Sequence, residues 1–247
     1  MVSRAENELL TRTGPGTPGG KLLRSYWQPI ATDEEMPIGG APMPITIMGE
    51  EMVLFRDDKD RLGLIGLHCP HRATDLSYGR VENGGLRCLY HGWLFDINGK
   101  CIDQPAEPAD RKFCHKVRHT AYPVQEKGGA IWAYLGEGEP PPFPHIPAFL
   151  GEGRVEASVE YFPCNFFQCW ENSFDEYHVH FTHRTGGMHP RYPTMPDMTF
   201  TETDYGILRR AVNPDGVVKL SPFLMPNVLR TIVPSPNAMQ GHGPSER

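Results

Sequence analysis

The strongest constraint on this chain is a pair of short strings, Cys-Pro-His-Arg at residues 69–72 and Cys-Leu-Tyr-His-Gly-Trp at residues 88–93. Each offers one thiolate and one imidazole, so Cys69, His71, Cys88 and His91 form a mixed donor set spread over two loops. A two-iron, two-sulfur centre with two Cys on one iron and two His on the other needs that mixture, supplied from both sides. The chain must therefore fold so that the two loop tips face each other. Zinc accepts the same donors, but its usual spacing groups two Cys in one half and two His in the other. Pro70, Gly92 and the Gly84-Gly85 pair suit tight turns beside such a centre.

Composition narrows the frame. A chain of 247 residues is long enough for one large or two modest domains. With 26 Gly and 25 Pro it has many turns, which points to a β-rich architecture with few helices. The mean hydropathy of −0.44 reads as a soluble protein, with no stretch long and apolar enough for a membrane span. Arg4, Glu6 and Glu8 occupy the place where a signal peptide needs an apolar run, so a cytoplasmic location is expected. A net charge of −6, with basic residues scattered singly, argues against nucleic acid as a partner. Cys101, Cys114, Cys164 and Cys169 show no disulfide-framework spacing and read as reduced, small core residues.

Along the chain, residues 1–26 read as an N-terminal arm: a short polar helix, a Gly/Pro-rich passage from Gly14 to Gly20, and a second helical turn. Residues 27–140 form an all-β module, with short runs at 52–55, 62–67, 86–89, 93–96 and 130–135. Asp57-Asp58 and Asn98-Gly99 are its hairpin-like turns. From Gly136 to Pro147, five of twelve residues are proline and lack an amide hydrogen, which makes this the best boundary. Residues 141–247 then form a second domain: a strand at 155–162, a helix at 165–176, and strands at 199–203, 207–212 and around 227–233. Phe166, Phe167, Trp170 and Phe174 cluster on one side of that helix.

A second metal-binding stretch runs from Glu171 to His183 and holds three His, at 178, 180 and 183. Two neutral imidazoles and one carboxylate on one face of an iron leave the opposite face open to dioxygen and substrate. Positions five apart on an unbroken helix are rotated by about 140° and do not share a face, whereas positions three apart do. The pairing of His178 with His183 therefore requires the helix to loosen near Tyr177, and His180 with His183 is the rival pair. Asp175 has two readings: a bridging carboxylate, or an acceptor for nearby backbone amides.

Taken together, the paired Cys/His loops and the Asp-x-x-His-x4-His pattern from Asp175 to His183 resemble the Rieske non-haem iron aromatic-ring-hydroxylating oxygenases. The likeness is to their large subunit, and most of all to the phthalate 4,5-dioxygenase type. It implies a Rieske [2Fe-2S] cluster on Cys69, His71, Cys88 and His91, a mononuclear Fe(II) on His178 and His183, and Asp175 as the carboxylate between the two centres. The fold class implied is α+β and mostly antiparallel β, an all-β Rieske domain followed by part of a helix-on-sheet catalytic domain. High-potential members of the wider family carry a further Cys in each loop and a hydroxyl residue after the His-Gly pair. Leu76, Leu89 and Trp93 stand nearby instead, which points to the low end of the Rieske range, roughly −150 mV.

The resemblance further implies hydroxylation or oxidative demethylation of an aromatic or related hydrophobic carboxylate, with dioxygen as co-substrate. Electrons would come from NAD(P)H through a flavin and iron–sulfur reductase. A homotrimer is implied for the intact protein, the cluster of one protomer serving the iron of its neighbour. Asn172 matches an Asn near the iron of some relatives, although a local hydrogen-bonding role is the simpler reading. Phe167, Phe174 and a strand at 222–229 are candidate pocket walls. The third iron ligand of the family is an Asp well beyond the two His, and Asp197, Asp204 and Asp215 do not match it. We therefore expect a C-terminally truncated form that binds the cluster fully, holds mononuclear iron poorly and turns over little by itself. Two other functions stay open at this stage: a Rieske-type electron carrier and a zinc-binding interaction module.

Overall fold

The computed structural model describes residues 2–146, 149, 156–183 and 195–230. They fall into two compact units, Met1–Tyr161 and Phe162–Arg247.

The first unit opens with α1 (Arg4–Thr11) and α2 (Pro18–Arg24). The Ser3 side chain accepts from the Glu6 amide while the Glu6 carboxylate accepts from Ser3, so two otherwise orphaned groups at the helix start are satisfied. Thr17 caps α2 in the same way, with Pro18 at the first helical position where no amide hydrogen is needed.

Short antiparallel strands follow. β1 (Trp27–Thr32), β2 (Met43–Ile47), β3 (Glu50–Arg56), β4 (Leu62–Gly66), β5 (Arg80–Glu82), β6 (Gly85–Arg87), β7 (Leu94–Phe95), β8 (Cys101–Asp103), β9 (Ala121–Tyr122), β10 (Val124–Lys127) and β11 (Ala130–Tyr134) build three sheets. Their strand orders are β1-β11-β10, β2-β3-β4-β9 and β5-β6-β7-β8.

The run Met52–Phe55 is apolar at every position because its sheet is covered on both faces. Val53 and Phe55 face one core with Ile65, Leu76, Leu86 and Phe95. Met52 and Leu54 face the other, with Leu64, Ile131 and Ala133. This is the two-residue alternation of a strand with no solvent side. At the β3–β4 turn the fully buried Asp57 carboxylate accepts from the Lys59 and Arg61 amides and from the Arg61 side chain, at 2.8–2.9 Å. Burial opposes its charge, but Arg61 and the two amides prevail and hold the carboxyl below its ordinary range. The β7–β8 turn needs Gly99. Its φ is +73°, and an added Cβ would stand 2.4 Å from the His119 carbonyl oxygen.

In the second unit α3 (Phe166–Phe174) and α4 (Val179–Thr182) precede an antiparallel sheet of β12 (Asp197–Thr203), β13 (Gly206–Val212), β14 (Val218–Leu224) and β15 (Val228–Leu229). α3 lies on this sheet through its aromatic side. The Trp170 and Phe174 rings meet the fully buried Phe223 at centroid distances of 4.7 and 4.9 Å.

The architecture is mostly antiparallel β with few helices, as the sequence predicts. Four local expectations are corrected. Residues 156–162 form no regular strand; they are largely exposed and have no strand partner among the described residues. α3 ends at Phe174 rather than Glu176, because Asp175 adopts an extended backbone and caps it. The segment 222–229 is not one strand: β14 ends at Leu224, and a turn containing the cis Met225–Pro226 bond leads to β15. Cys164 is exposed rather than a core residue, although it is free like the other five Cys. The expected run to residue 233 lies partly outside the described residues.

Candidate metal centres

The two Cys/His loops connect strands of the first unit and have congruent backbones. In each, the Cys amide donates to the carbonyl five residues on: Cys69 to Thr74 and Cys88 to Trp93, both at 2.8 Å. In each, the residue four positions on donates back to the Cys carbonyl, Ala73 at 2.8 Å and Gly92 at 3.1 Å. Those two residues also share a positive φ, +55° at Ala73 and +73° at Gly92. An added Cβ at Gly92 would further stand 2.7 Å from Pro105. The same tight loop is thus built twice, once from Pro- and Arg-containing sequence and once from Tyr- and Gly-containing sequence.

This pairing brings the four predicted donors together as two pairs. Cys69 and Cys88 are both buried, at 2% and 3% exposure, in one apolar core cluster. The rings of His71 and His91 meet nearer the surface, with centroids 4.6 Å apart. Trp93 stacks flat on His71 at 4.5 Å with planes 2° apart, fixing that imidazole's orientation. Burial pushes the Cys69 thiol up to about 11, and the neighbouring Cys88 adds to this, while the amides of His71 and Arg72 pull the other way. A thiol so buried becomes a thiolate beside strong positive charge, which iron supplies.

The residues fit a [2Fe-2S] cluster on one further ground. The indole N–H of Trp93 is buried beside His71 and has no hydrogen-bond partner among the described residues. It is a donor of the kind cluster sulfur accepts, and the sequence reading, which looked only for a hydroxyl at this position, missed it.

In the second unit, the break after α3 resolves the helical-geometry objection. Asp175 caps α3 and α4 begins at Val179, so His178 and His183 flank a four-residue helix instead of occupying one continuous one. Their ring centroids are 5.3 Å apart. His180 sits within α4. Asp175 is an acceptor for nearby backbone amides, the second of its two readings. Oδ1 accepts from the amides of Tyr177 and His178, at 2.8 and 3.3 Å, and Oδ2 stands 3.6 Å from His178 Nδ1. That nitrogen is buried without a hydrogen-bond partner among the described residues. Asn172 is exposed and contributes its carbonyl to the helix cap. Phe174 packs into the α3–sheet seam, and Phe167 meets Trp170 at its edge.

A residue that the sequence did not single out holds this break in place. Arg209 on β13 is 4% exposed. It donates to the carbonyls of Ser173 and Phe174, at 3.1 and 3.0 Å, which are the last carbonyls of α3. Its other nitrogen reaches Ser221 Oγ at 2.9 Å and Glu176 Oε2 at 3.0 Å. Glu176 is also paired with Lys219 at 2.8 Å. The residues on both sides of Asp175 are therefore clamped by one buried guanidinium, whose fork geometry suits several simultaneous acceptors. Its sequence signal is faint, since it is one of two adjacent arginines, Arg209 and Arg210, in β13.

Residues 26–124 match the Rieske [2Fe-2S] domain model. The chain is 40% identical over 225 residues to the 5,5'-dehydrodivanillate O-demethylase oxygenase subunit of Sphingobium sp., covering 87% of this chain and 53% of that protein. It is 37% identical to the phthalate 4,5-dioxygenase oxygenase subunit of Pseudomonas putida, covering 86% of this chain and 53% of the other. The chain thus spans about half the length of these relatives. Dicamba monooxygenase with non-heme iron and dicamba shares the fold, with a TM-score of 0.57 at 23% identity over 77% of this chain and 54% of that one. On these grounds residues 26–124 form a Rieske [2Fe-2S] domain, in a chain similar to the oxygenase subunits of Rieske oxygenases.

Proposed function

We propose that the chain is the cluster-bearing part of the oxygenase component of a multicomponent Rieske oxygenase, acting on an aromatic or related hydrophobic carboxylate by hydroxylation or oxidative demethylation. The observation that carries the reading is the duplicated loop, with its buried sulfur pair and its outer imidazole pair. Cys69 and Cys88 would hold one iron and His71 and His91 the other, while His178 and His183 would hold a mononuclear Fe(II). When bound, these groups supply stored electrons and dioxygen activation.

The chain's own residues have distinct tasks. Trp93 keeps the His71 ring in one plane, and the two loop backbones fix the Cys side chains before any metal arrives. Asp175 Oδ2 stands 3.6 Å from His178 Nδ1, and a hydrogen bond closed there on metal binding would set the tautomer that leaves Nε2 free for the metal. Electrons would come from NAD(P)H through a reductase. The substrate class follows from the relatives' names, a demethylase of dehydrodivanillate and a dioxygenase of phthalate. A homotrimer in which cluster and iron meet across subunits completes the reading, together with a cytoplasmic location. No described helix is long and apolar enough to cross a membrane.

A second reading, a Rieske electron carrier, is favoured by one observation: among the described residues no third donor joins His178 and His183. Asp175→Asn separates the two. The amide retains an acceptor for Tyr177 and His178, so the fold and both metal contents are expected to stay. Reductase-driven oxygen uptake with substrate is expected to fall roughly 10–100-fold in an oxygenase. In a carrier, electron transfer to an external acceptor is the sole activity and stays unchanged. Undiminished oxygenation by the variant contradicts the role given to Asp175.

A further inference from the structure

Cys164 and Cys169 stand outside both metal centres. Cys164 is exposed and immediately precedes Asn165, the cap of α3, and Cys169 is half-buried within the helix. Their sulfurs are 3.6 Å apart. The two positions, one before the cap and the fourth inside the helix, are those where an apolar pair commonly packs across a helix start and fixes the entry of the chain. Here that staple consists of two thiols. No other Cys of the chain is exposed.

We propose that Cys164 and Cys169 are a modification site, a dithiol that exchanges with a low-molecular-weight disulfide to form an internal bond across the start of α3. Attack of one Cys sulfur on oxidised glutathione forms a mixed disulfide and releases one glutathione thiol. Attack by the second Cys sulfur closes the protein disulfide and releases the other. Two protein thiols are oxidised, one external disulfide is reduced to two thiols, and the two thiol protons pass to glutathione. Three of the remaining Cys are protected by burial. Cys69 and Cys88 are buried, and Cys101 lies in the core with Trp93 and Phe95, its thiol pushed up to about 12 by burial and by the neighbouring Cys114. The bond would fix the first turn of the helix whose other end carries Asp175.

The test treats the cluster-loaded chain with oxidised glutathione and maps its thiols by mass spectrometry. Both Cys lie in the tryptic peptide spanning residues 155–184. That peptide is expected to become lighter by two hydrogen atoms, and its chymotryptic halves, cut after Phe166 or Phe167, are expected to stay joined until reduced. Cys169→Ser is expected to trap glutathione stably on Cys164. Wild-type peptide that carries glutathione without an internal link, or stays unmodified, overturns the proposal. So does a Cys169→Ser chain that takes up no glutathione at Cys164.

Discussion

Cys88→Ser is expected to give a folded chain that is colourless and nearly free of iron and sulfide. Cys88 is a core residue, packed among Leu86, Trp93 and Phe95, and its loop is closed by backbone bonds that do not involve the sulfur. Serine preserves that backbone and most of the volume. Its buried hydroxyl costs about 1–3 kcal/mol if left unpaired, too little to unfold a domain of this size. What serine cannot supply is a soft anionic ligand at neutral pH, since the thiolate and not the neutral group binds the metal. Cluster content should therefore fall from one per chain to near zero, while the far-ultraviolet dichroism of the β unit is retained. Iron, sulfide and visible absorption measured on the purified variant check this, and undiminished colour would remove Cys88 from the ligand set.

Arg209→Met is the second large effect. It leaves the Ser173 and Phe174 carbonyls and the Ser221 hydroxyl without their donor, and strips Glu176 of one of two cationic partners. Removing one member of a buried charged network costs about 3–5 kcal/mol. The loss should appear as a lowered urea midpoint of the second unit. The first unit keeps its cores, and cluster absorbance should be unaffected. Arg209→Lys restores the charge without the fork and is expected to recover only part of the loss, because an ammonium cannot meet carbonyls, hydroxyl and carboxylate in the same plane. Equal stability of Met and Lys variants with the unmodified chain would show that the clamp contributes little.

The parts that the sequence predicts well are those whose information is local. The Cys/His loops announce themselves because all donors of each loop lie within four residues, and the hairpin turns because Asp57 and Gly99 act on amides and carbonyls close by. Proline misleads in the strands. Pro29 lies in β1 beside a register shift, and Pro222 lies within β14, so strands continue through residues that normally end them. The stop of α3 is hidden for a different reason. Its aromatic periodicity fits a longer helix, but Asp175 captures two amides beyond it and Arg209, thirty-five residues away, takes its last carbonyls. Long-range contacts of that kind leave no spacing signature. The thiol staple is similar: even with the helix start placed at 165 by the sequence, Cys164 and Cys169 read as two unrelated small residues until their sulfurs are found 3.6 Å apart.

The account rests on one iron of the cluster being held by histidine and the other by cysteine. Electron paramagnetic resonance of the chain, reconstituted with iron and sulfide and then reduced, tests this most directly when histidine is labelled with nitrogen-15. An unpaired spin on an imidazole-bound iron couples to the bonded nitrogens. The account predicts a paramagnetic centre coupled to two histidine nitrogens, with the coupling lost in His71→Ala and His91→Ala. A colourless, silent protein, or a cluster with no histidine coupling, contradicts it.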